Sequence, residues 1–148
     1  MKRANNYIIV CTLLLLSSLL YINKGKSPNL SSINKLPYFS YTAQDNSLFT
    51  TAQLNGKVTI SDFFFTQCEG PCPVMNRYMR QMVENISDER IQFVSFSVDP
   101  SFDTVDIINK YIKSQNLEYD NWYFLQTDQN SIVDLLERGF LLSGEGLP

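Results

Sequence analysis

Two largely apolar runs with a helical pattern between them limit the folds open to this chain. The runs VTISDFFF at residues 58–65 and IQFVSFSV at residues 91–98 are rich in β-branched and aromatic side chains, which is typical of buried strands. Between them, apolar residues recur at helical spacing from Pro73 to about Ile86. Because parallel strands need a crossover that is usually a helix, this order predicts an α/β sandwich around a mainly parallel sheet.

The remaining patterns extend this alternation along the chain. Further strands are predicted at residues 38–41, 48–51, 122–125 and 140–142. Helix caps predict the remaining two helices, one from Asp103 and Thr104 to about Ser114, the other from Asp128 or Asn130 to Arg138 and ended by Gly139. We therefore expect one folded domain at residues 36–148.

The N-terminal segment, residues 1–24, has the pattern of a membrane anchor or signal. A basic pair precedes an apolar, uncharged run from Tyr7 to Ile22, and no small-x-small cleavage site follows it, which favours an uncleaved anchor. Residues 25–35 are rich in Ser, Asn, Lys and Pro and are predicted to be a tether. Cys11 lies inside the apolar run, where we expect it to be a small buried hydrophobe. This organisation predicts a membrane-anchored domain on the extracytoplasmic, periplasmic-type side.

Charge and composition exclude two classes of function. The first 35 residues hold five of the 12 basic residues and none of the 15 acidic ones, so the rest of the chain is strongly acidic. An acidic body without a basic stripe argues against nucleic-acid binding, which depends on neutralising phosphates. The sequence contains no histidine, which excludes Ser-His-Asp and Cys-His catalysis within these 148 residues.

Cys68 and Cys72 lie four positions apart, between a predicted strand and a predicted helix. Two thiols on one short loop can close a reversible disulfide or hold a soft ion such as Cu(I), and the spacing alone does not choose between them. A helix N-terminus stabilises a thiolate, so proximity to the helix predicts that Cys72 gains most. Glu69 is expected to oppose ionisation of Cys68. A purely structural disulfide over so few residues would stabilise the fold weakly.

Methionines and carboxylates near this loop are weaker candidates. Met75, Met79 and Met82 offer soft thioether ligands, but their helical spacing predicts core packing. Met75 is nearest to the cysteines, and its role stays open. Nothing in the sequence brings two of the nearby carboxylates to a defined separation, so strand-end and turn roles are expected for Asp62, Asp99 and Asp103.

Three stretches resemble the Sco/SenC family. The segment DFFFTQCEGPCP at residues 62–73 is similar to that family's thiol loop, and the three-residue gap between the cysteines differs from that of ordinary thioredoxins. SVDP at residues 97–100, followed by Asp103 and Thr104, resembles its second signature, and WYFL at residues 122–125 falls where its next strand is expected. The resemblance covers about residues 36–142 and implies a thioredoxin-like fold with a copper-binding role in assembling cytochrome c oxidase.

The resemblance also implies a site and partners. It implies that Cys68 and Cys72 bind a copper ion and form a redox-active disulfide pair. The family's third ligand, a histidine, would lie beyond Pro148, together with a closing hairpin and helix, so we expect a C-terminally truncated sequence. The implied partners are the copper-bearing subunit of cytochrome c oxidase, other copper carriers and thiol reductants.

Two functions follow from this reasoning. The first is a membrane-tethered metallochaperone that delivers copper to the oxidase or matures its copper centre. The second is a thiol–disulfide oxidoreductase in which Cys68 and Cys72 are catalytic; the family analogy favours attack by Cys68, and proximity to the helix favours Cys72. Peroxide reduction ranks last because the usual surrounding arginine and threonine pattern is missing. A location in the mitochondrial inner membrane is less favoured than a periplasmic-type one.

Overall fold

Five strands form one mixed sheet in the part of the chain that the structure, a computed structural model, describes: Thr12 and residues 34–144. The strands are β1 (Ser40–Ala43), β2 (Leu48–Thr50), β3 (Val58–Phe64), β4 (Ile91–Ser97) and β5 (Trp122–Gln126). Their order is β2-β1-β5-β4-β3. Strands β3, β4 and β5 are parallel, as the sequence predicts, whereas β1 runs antiparallel to both β5 and β2. The sheet is therefore mixed and not mainly parallel.

The first two helices connect the parallel strands, the third follows the last strand, and the second and third carry the predicted caps. They are α1 (Pro71–Asn85), α2 (Val105–Gln115) and α3 (Gln129–Asp134), with a 3-10 helix at Thr51–Leu54 and a π-helix at Leu135–Phe140. The hydroxyl of Thr104 accepts the Ile107 N–H at the start of α2, and Asp128 accepts the Ser131 N–H at the start of α3. Both contacts satisfy N–H groups that the first helical turn leaves unpaired.

Two local predictions are wrong. Helix α1 begins at Pro71, not at Pro73, because Pro71 is tolerated in the first turn, and this places Cys72 inside the helix. The strand predicted at residues 140–142 does not form, since the chain continues from α3 as a π-helix through Phe140. Gly139 lies inside this π-helix and does not end it: a Cβ there would lie 3.0 Å from Leu36 Cδ2, so the glycine is closely packed against that side chain.

Each face of the sheet has its own apolar core. One core lies beneath α1 and α2 and includes both cysteines: Phe64, Cys68, Cys72, Met79, Val83, Phe93, Ile108, Tyr111, Ile112, Leu117, Trp122 and Phe124. The other lies against β1, β2, α3 and the π-helix and is formed around Phe39, Phe96, Leu125 and Leu135. Adjacent residues of β4, Phe93 and Val94, belong to opposite cores, as the alternation of side chains along a strand requires.

Several predictions fall outside the described residues. The predicted anchor at residues 1–24 is outside them except for Thr12, and Cys11 is among the residues outside. The predicted tether, residues 25–35, is outside as far as residue 33, as are residues 145–148. Within the part of the chain that is described, no helix has both the length and the apolar character needed to span a membrane.

Candidate functional site

The two cysteines meet where β3 ends and α1 begins. Cys68 lies in the thiol loop, residues 65–70, and Cys72 lies in the first turn of α1. Both side chains are buried, with 8% and 5% of their surface exposed, and both are free thiols. The structure thus brings together the pair that the sequence predicts, at the carboxyl end of a parallel strand, where α/β sheets place their ligands.

Hydrogen bonds join the two sulfurs to each other and to the loop backbone. Cys68 Sγ accepts from the Cys72 thiol and from the backbone N–H groups of Cys72 and Gly70. Cys72 Sγ accepts from the Phe65 N–H. The loop is tightened further by the Cys68 N–H, which donates to the Phe65 carbonyl at 3.1 Å. The sulfurs are therefore within hydrogen-bond reach of each other, close enough to share one ion or one covalent bond.

These contacts separate the two thiols in acidity. Burial opposes ionisation of Cys68, but the donors from Cys72 and Gly70 outweigh it, so the pKa of Cys68 is lowered. Burial, the hydrogen bond to Cys68 and the nearby charge of Asp62 raise the pKa of Cys72 to about 12. The prediction that Cys72 gains most from the helix N-terminus is wrong, because the free N–H groups of that turn point at the sulfur of Cys68.

A buried carboxyl group lies on the same face of the sheet. Asp62 is 8% exposed and accepts a short hydrogen bond from Ser95 Oγ, which accepts from Trp122 Nε1 at 2.9 Å. Burial raises the pKa of Asp62 to about 6, although the Ser95 hydrogen bond opposes this shift. Asp62 is thus more than the strand-end residue that the sequence suggests, because its charge state affects Cys72.

A second buried carboxyl group anchors the start of the thiol loop. Asp103 is fully buried and accepts from Thr66 Oγ1 at 2.5 Å and from the Thr66 N–H at 3.2 Å. It also accepts from Ser97 Oγ at 2.6 Å, at the end of β4. Asp103 therefore ties the residue two positions before Cys68 to the neighbouring strand. The sequence signal is the polar Asp103-Thr104 pair after SVDP, which the sequence analysis assigns to a helix cap, a turn role and the family's second signature, but not to an anchor of the thiol loop.

Asn76 and Tyr111 form a third buried contact that sequence reasoning missed. Asn76 Nδ2 donates to Tyr111 Oη at 2.6 Å, and both side chains are buried. The ring of Tyr111 stacks on Phe64, with 5.6 Å between the ring centroids. Burial raises the pKa of Tyr111 to about 12, and the nearby thiols and Asp62 contribute in the same direction. Asn76 follows Cys72 by one helical turn, so this contact fixes the first turn of α1 against α2.

The other candidates lie at the margin of the site. Asp99 accepts from Ser101 Oγ at 3.1 Å, which is the turn role that the sequence predicts. Glu69, which the sequence predicts to oppose ionisation of Cys68, is exposed. Across the described residues, no group of three or more histidine, cysteine, aspartate or glutamate side chains could hold a metal ion.

Comparisons with known proteins find similarity to members of one family. A family model described as SCO1/SenC matches residues 29–136. The SCO1 protein homolog of Bacillus subtilis (strain 168) is 36% identical over 98 residues, which is 65% of this chain and 51% of that protein. The chain thus spans about half the length of this relative.

Solved structures extend the likeness to the fold. A structure of BsSco, described as a member of the Sco family of cytochrome c oxidase assembly proteins with a disulfide switch, is 30% identical, with a TM-score of 0.66 over 79% of this chain and 71% of that one. Arabidopsis thaliana ScoI, solved with copper bound, is 26% identical, with a TM-score of 0.58 over 70% of this chain and 64% of that one. The predicted thioredoxin-like α/β fold is confirmed, with a mixed sheet in place of a mainly parallel one.

Proposed function

This chain belongs to the SCO1/SenC family, and we propose that it is a copper-handling protein that holds Cu(I) between Cys68 and Cys72. The observation that carries this proposal is the direct contact of the two buried thiols at the end of β3. Thiolates are the protein ligands that Cu(I) prefers, and the apolar surroundings of the pair protect the ion from water. The structure of a relative with copper bound supports the choice of metal.

Binding of Cu(I) would replace thiol protons. The lowered pKa of Cys68 makes it the first ligand, because the N–H groups of Cys72 and Gly70 stabilise its thiolate. Cys72 holds its proton more tightly and releases it when the cation arrives, since a metal ion favours the ionised form of its ligand. Transfer to an acceptor then proceeds by exchange of one sulfur ligand at a time, without a change in the oxidation state of copper.

The test is anaerobic titration of the reduced protein with Cu(I) in the presence of a chromophoric Cu(I) chelator. We expect one equivalent to bind to the unaltered protein, and binding to be lost in Cys68→Ala and Cys72→Ala. Cys11→Ala is the matched control, because no ligand role is predicted for that thiol, and it should bind as the unaltered protein does. Equal Cu(I) binding by all four proteins would contradict the proposal that Cys68 and Cys72 form the site.

The acceptor we propose is the copper-bearing subunit of cytochrome c oxidase. The description of BsSco as a cytochrome c oxidase assembly protein supports this choice. We also propose that residues 1–24 anchor the domain to a membrane and expose it on the extracytoplasmic side. The apolar run from Tyr7 to Ile22 and the acidic composition of the rest of the chain support this arrangement. Carbonate extraction of membranes and protease protection in spheroplasts test it.

The difference in acidity between the thiols favours a second function, reduction of partner disulfides. The Cys68 thiolate would attack a disulfide of an exported protein, forming a mixed disulfide and releasing one partner thiolate. Cys72, after losing its proton, would attack the sulfur of Cys68, forming the Cys68–Cys72 bond and releasing the second partner thiol. Two electrons pass from the thiol pair to the partner. This order of attack follows from the lowered pKa of Cys68.

An insulin reduction assay separates the two functions. The oxidoreductase requires turnover with dithiothreitol, loss of turnover in Cys68→Ala, and trapping of a mixed disulfide in Cys72→Ala. A protein that binds Cu(I) through both thiols and shows no turnover above the dithiothreitol background is a copper carrier and not a reductase.

A further inference from the structure

A groove of about 190 Å³ lies between α1 and the C-terminal end of α2. It is lined by Pro73, Asn76, Arg77, Arg80, Gln115 and Leu117. The four lining residues that belong to α1 are spaced i, i+3, i+4 and i+7, so they form one stripe along that helix. Pro73 directly follows Cys72 in the sequence, so the groove begins beside the thiol pair.

Two arginines give this groove a positive charge on an otherwise acidic domain. The ion pairs found among the described residues lie elsewhere, so neither Arg77 nor Arg80 has a carboxylate partner in that part of the chain. Glu84, the acidic residue of α1, accepts instead from Tyr119 Oη at 2.6 Å. The Arg77 guanidinium lies over the ring of Tyr78, 5.6 Å from its centroid, which provides no oxygen acceptor for its N–H groups. Both guanidinium groups can therefore bind an external carboxylate through paired N–H donors.

A buried amide adds an acceptor to the same groove. Asn76 is 3% exposed, and its amide nitrogen donates to Tyr111 Oη at 2.6 Å. Its amide oxygen receives no hydrogen bond from any residue that the structure describes. Since no side-chain polar atom sealed from solvent lacks a partner in that part of the chain, this oxygen opens into the groove that Asn76 lines. Arginine donors together with an acceptor for a backbone N–H suit an acidic peptide better than a simple anion.

The position of the arginines along α1 sets the spacing of groups in such a peptide. Arg77 and Arg80 lie about 7.5 and 12 Å beyond Cys72 along the helix axis, because an α-helix rises 1.5 Å per residue. An extended peptide advances about 3.3 Å per residue. A carboxylate paired with these arginines therefore lies about two to four residues from the group that reaches the thiol pair.

We propose that this groove binds an acidic segment of the protein that exchanges copper or a disulfide with Cys68 and Cys72. Arg77 and Arg80 would pair with an Asp or Glu side chain located about two to four residues from the partner's reacting cysteine. This inference rests on the proposed function, since a partner must approach the thiol pair in either of its forms. The rest of the acidic domain repels such a segment, so the groove determines where the partner docks.

Thiol exchange with synthetic peptides tests the proposal. The full chain carries Cys11→Ala and Cys72→Ala, so that Cys68 is its single thiol. Each probe is a Gly-Ser peptide with blocked ends, one cysteine activated as a 2-pyridyl disulfide, and a glutamate on each side of it. The glutamates lie three residues from the cysteine in one probe and eight in the other, so the two probes have the same composition and charge.

The measured quantity is the ratio of the rate constants for the two probes. The Cys68 thiolate attacks the cysteine sulfur of the peptide, a disulfide joins the two, and the released pyridine-2-thione takes up the proton. Its absorbance gives the rate. We expect the probe with the close glutamates to react at least about fivefold faster at about 0.15 M ionic strength, where long-range repulsion is screened. Because both probes react with the same thiol, the ratio does not depend on its intrinsic reactivity.

Arginine variants of the same protein identify the groove as the cause. In Arg77→Gln/Arg80→Gln the ratio is expected to fall to about one. Arg90→Gln/Arg138→Gln is the matched control, because it removes two exposed arginines that lie outside the groove, and it should keep the ratio. A ratio near one with the groove intact, or a ratio that survives the loss of Arg77 and Arg80, overturns the proposal and leaves the function of the thiol pair untouched. Failure of both probes to react instead rejects an accessible Cys68 thiolate, and the docking proposal with it, whereas copper binding is judged by the separate Cu(I) titration.

Discussion

Cys68 in the thiol loop and Cys72 in the first turn of α1 are only four residues apart, yet their surroundings shift the pKa values of the two thiols in opposite directions. The loop directs two backbone N–H groups and a thiol at Cys68, which lowers its pKa. The turn places Cys72 in an apolar core near Asp62, which raises its pKa. The two cysteines are buried to similar extents, at 8% and 5% exposure. Hydrogen-bond donors, and not burial alone, therefore determine which sulfur ionises more readily.

The anchors of the two regions differ as well. The loop is held by Asp103, which accepts from Thr66 and from Ser97 on the neighbouring strand. The helical turn is held by a neutral pair, Asn76 and Tyr111. Both anchors are buried, so removing either leaves polar groups without partners, but Asp103 serves more donors. We expect disruption of the loop anchor to lower the free energy of unfolding more than disruption of the helical anchor.

Replacing Asp103 removes the anchor of the thiol loop and should have the largest effect on the free energy of unfolding. Asp103→Ala leaves the Thr66 N–H and two hydroxyl groups without an acceptor, and we expect the free energy of unfolding to fall by about 3 to 4 kcal/mol. Asp103→Asn keeps one acceptor oxygen, so its free energy of unfolding should fall by less. Asp106→Ala, an exposed acidic residue in the first turn of α2, is the control and should cost less than about 1 kcal/mol. Urea unfolding at pH 7 measures all three, and equal losses would contradict the anchoring role.

The buried surroundings of Cys72 can be tested through Asp62, the carboxyl group of β3 whose charge raises the pKa of Cys72. The pKa of Asp62 rises from 3.8 to about 6 in the folded protein, so the folded state retains a proton that the unfolded chain releases. Stability from this group is fully present below pH 4 and is lost as the pH rises through 6, by about 3 kcal/mol in total. Asp62→Asn should therefore be more stable than the unaltered protein at pH 7.5, by about 2 to 3 kcal/mol, and lose that advantage at pH 4.

Denaturant unfolding at these two pH values measures the effect. The exposed residue Asp120 provides the control, since Asp120→Asn should follow the unaltered protein across the range. A parallel pH dependence in Asp62→Asn and the unaltered protein would contradict the buried, proton-holding state of Asp62.

The sequence predicts the fold well where the signal is local. The runs at 58–65 and 91–98 correspond to β3 and β4, and the caps Thr104 and Asp128 begin helices. The π-helix at Leu135–Phe140 was missed because Gly139 looks like a helix terminator, whereas its backbone is close-packed against Leu36. Such a contact is non-local, so periodicity does not reveal it.

The same distinction applies to the site. The thiol pair could be predicted because the two cysteines are only four residues apart in the sequence, but the order of their acidities depends on where individual N–H groups point. Asp103 and Thr66 are 37 residues apart, and Asn76 and Tyr111 are 35 apart. Their side chains look like ordinary cap, helix or core residues until the fold brings them together. The helical spacing of Met75, Met79 and Met82 predicts core packing for all three, but Met75 is 37% exposed, which the spacing alone does not reveal.

Tyr111→Phe tests the neutral anchor and should have a smaller effect than loss of Asp103. The ring still stacks on Phe64, but the buried Asn76 amide loses its acceptor, so we expect a loss of about 2 kcal/mol in unfolding free energy. Tyr119→Phe is the matched control, because the Tyr119 hydroxyl donates to Glu84 at the exposed surface. It should cost less than about 1 kcal/mol. The two tyrosine variants would be equally stable if the Asn76 contact contributed nothing.

Alkylation measures the relative reactivity of the two thiols directly. The expected difference, expressed as a free energy, is the smallest of those predicted for the two regions. Iodoacetamide reacts with thiolates, so the reduced protein at pH 8 should be modified faster at Cys68, whose pKa lies below the ordinary 9.0, than at Cys72, whose pKa is about 12. The greater intrinsic nucleophilicity of a high-pKa sulfur offsets part of this difference. A rate ratio of at least about tenfold is expected, equivalent to about 1.4 kcal/mol. Peptide mass spectrometry resolves the two sites, and since both sulfurs are similarly buried, equal rates would mean that the donors from Cys72 and Gly70 do not control the acidity of Cys68.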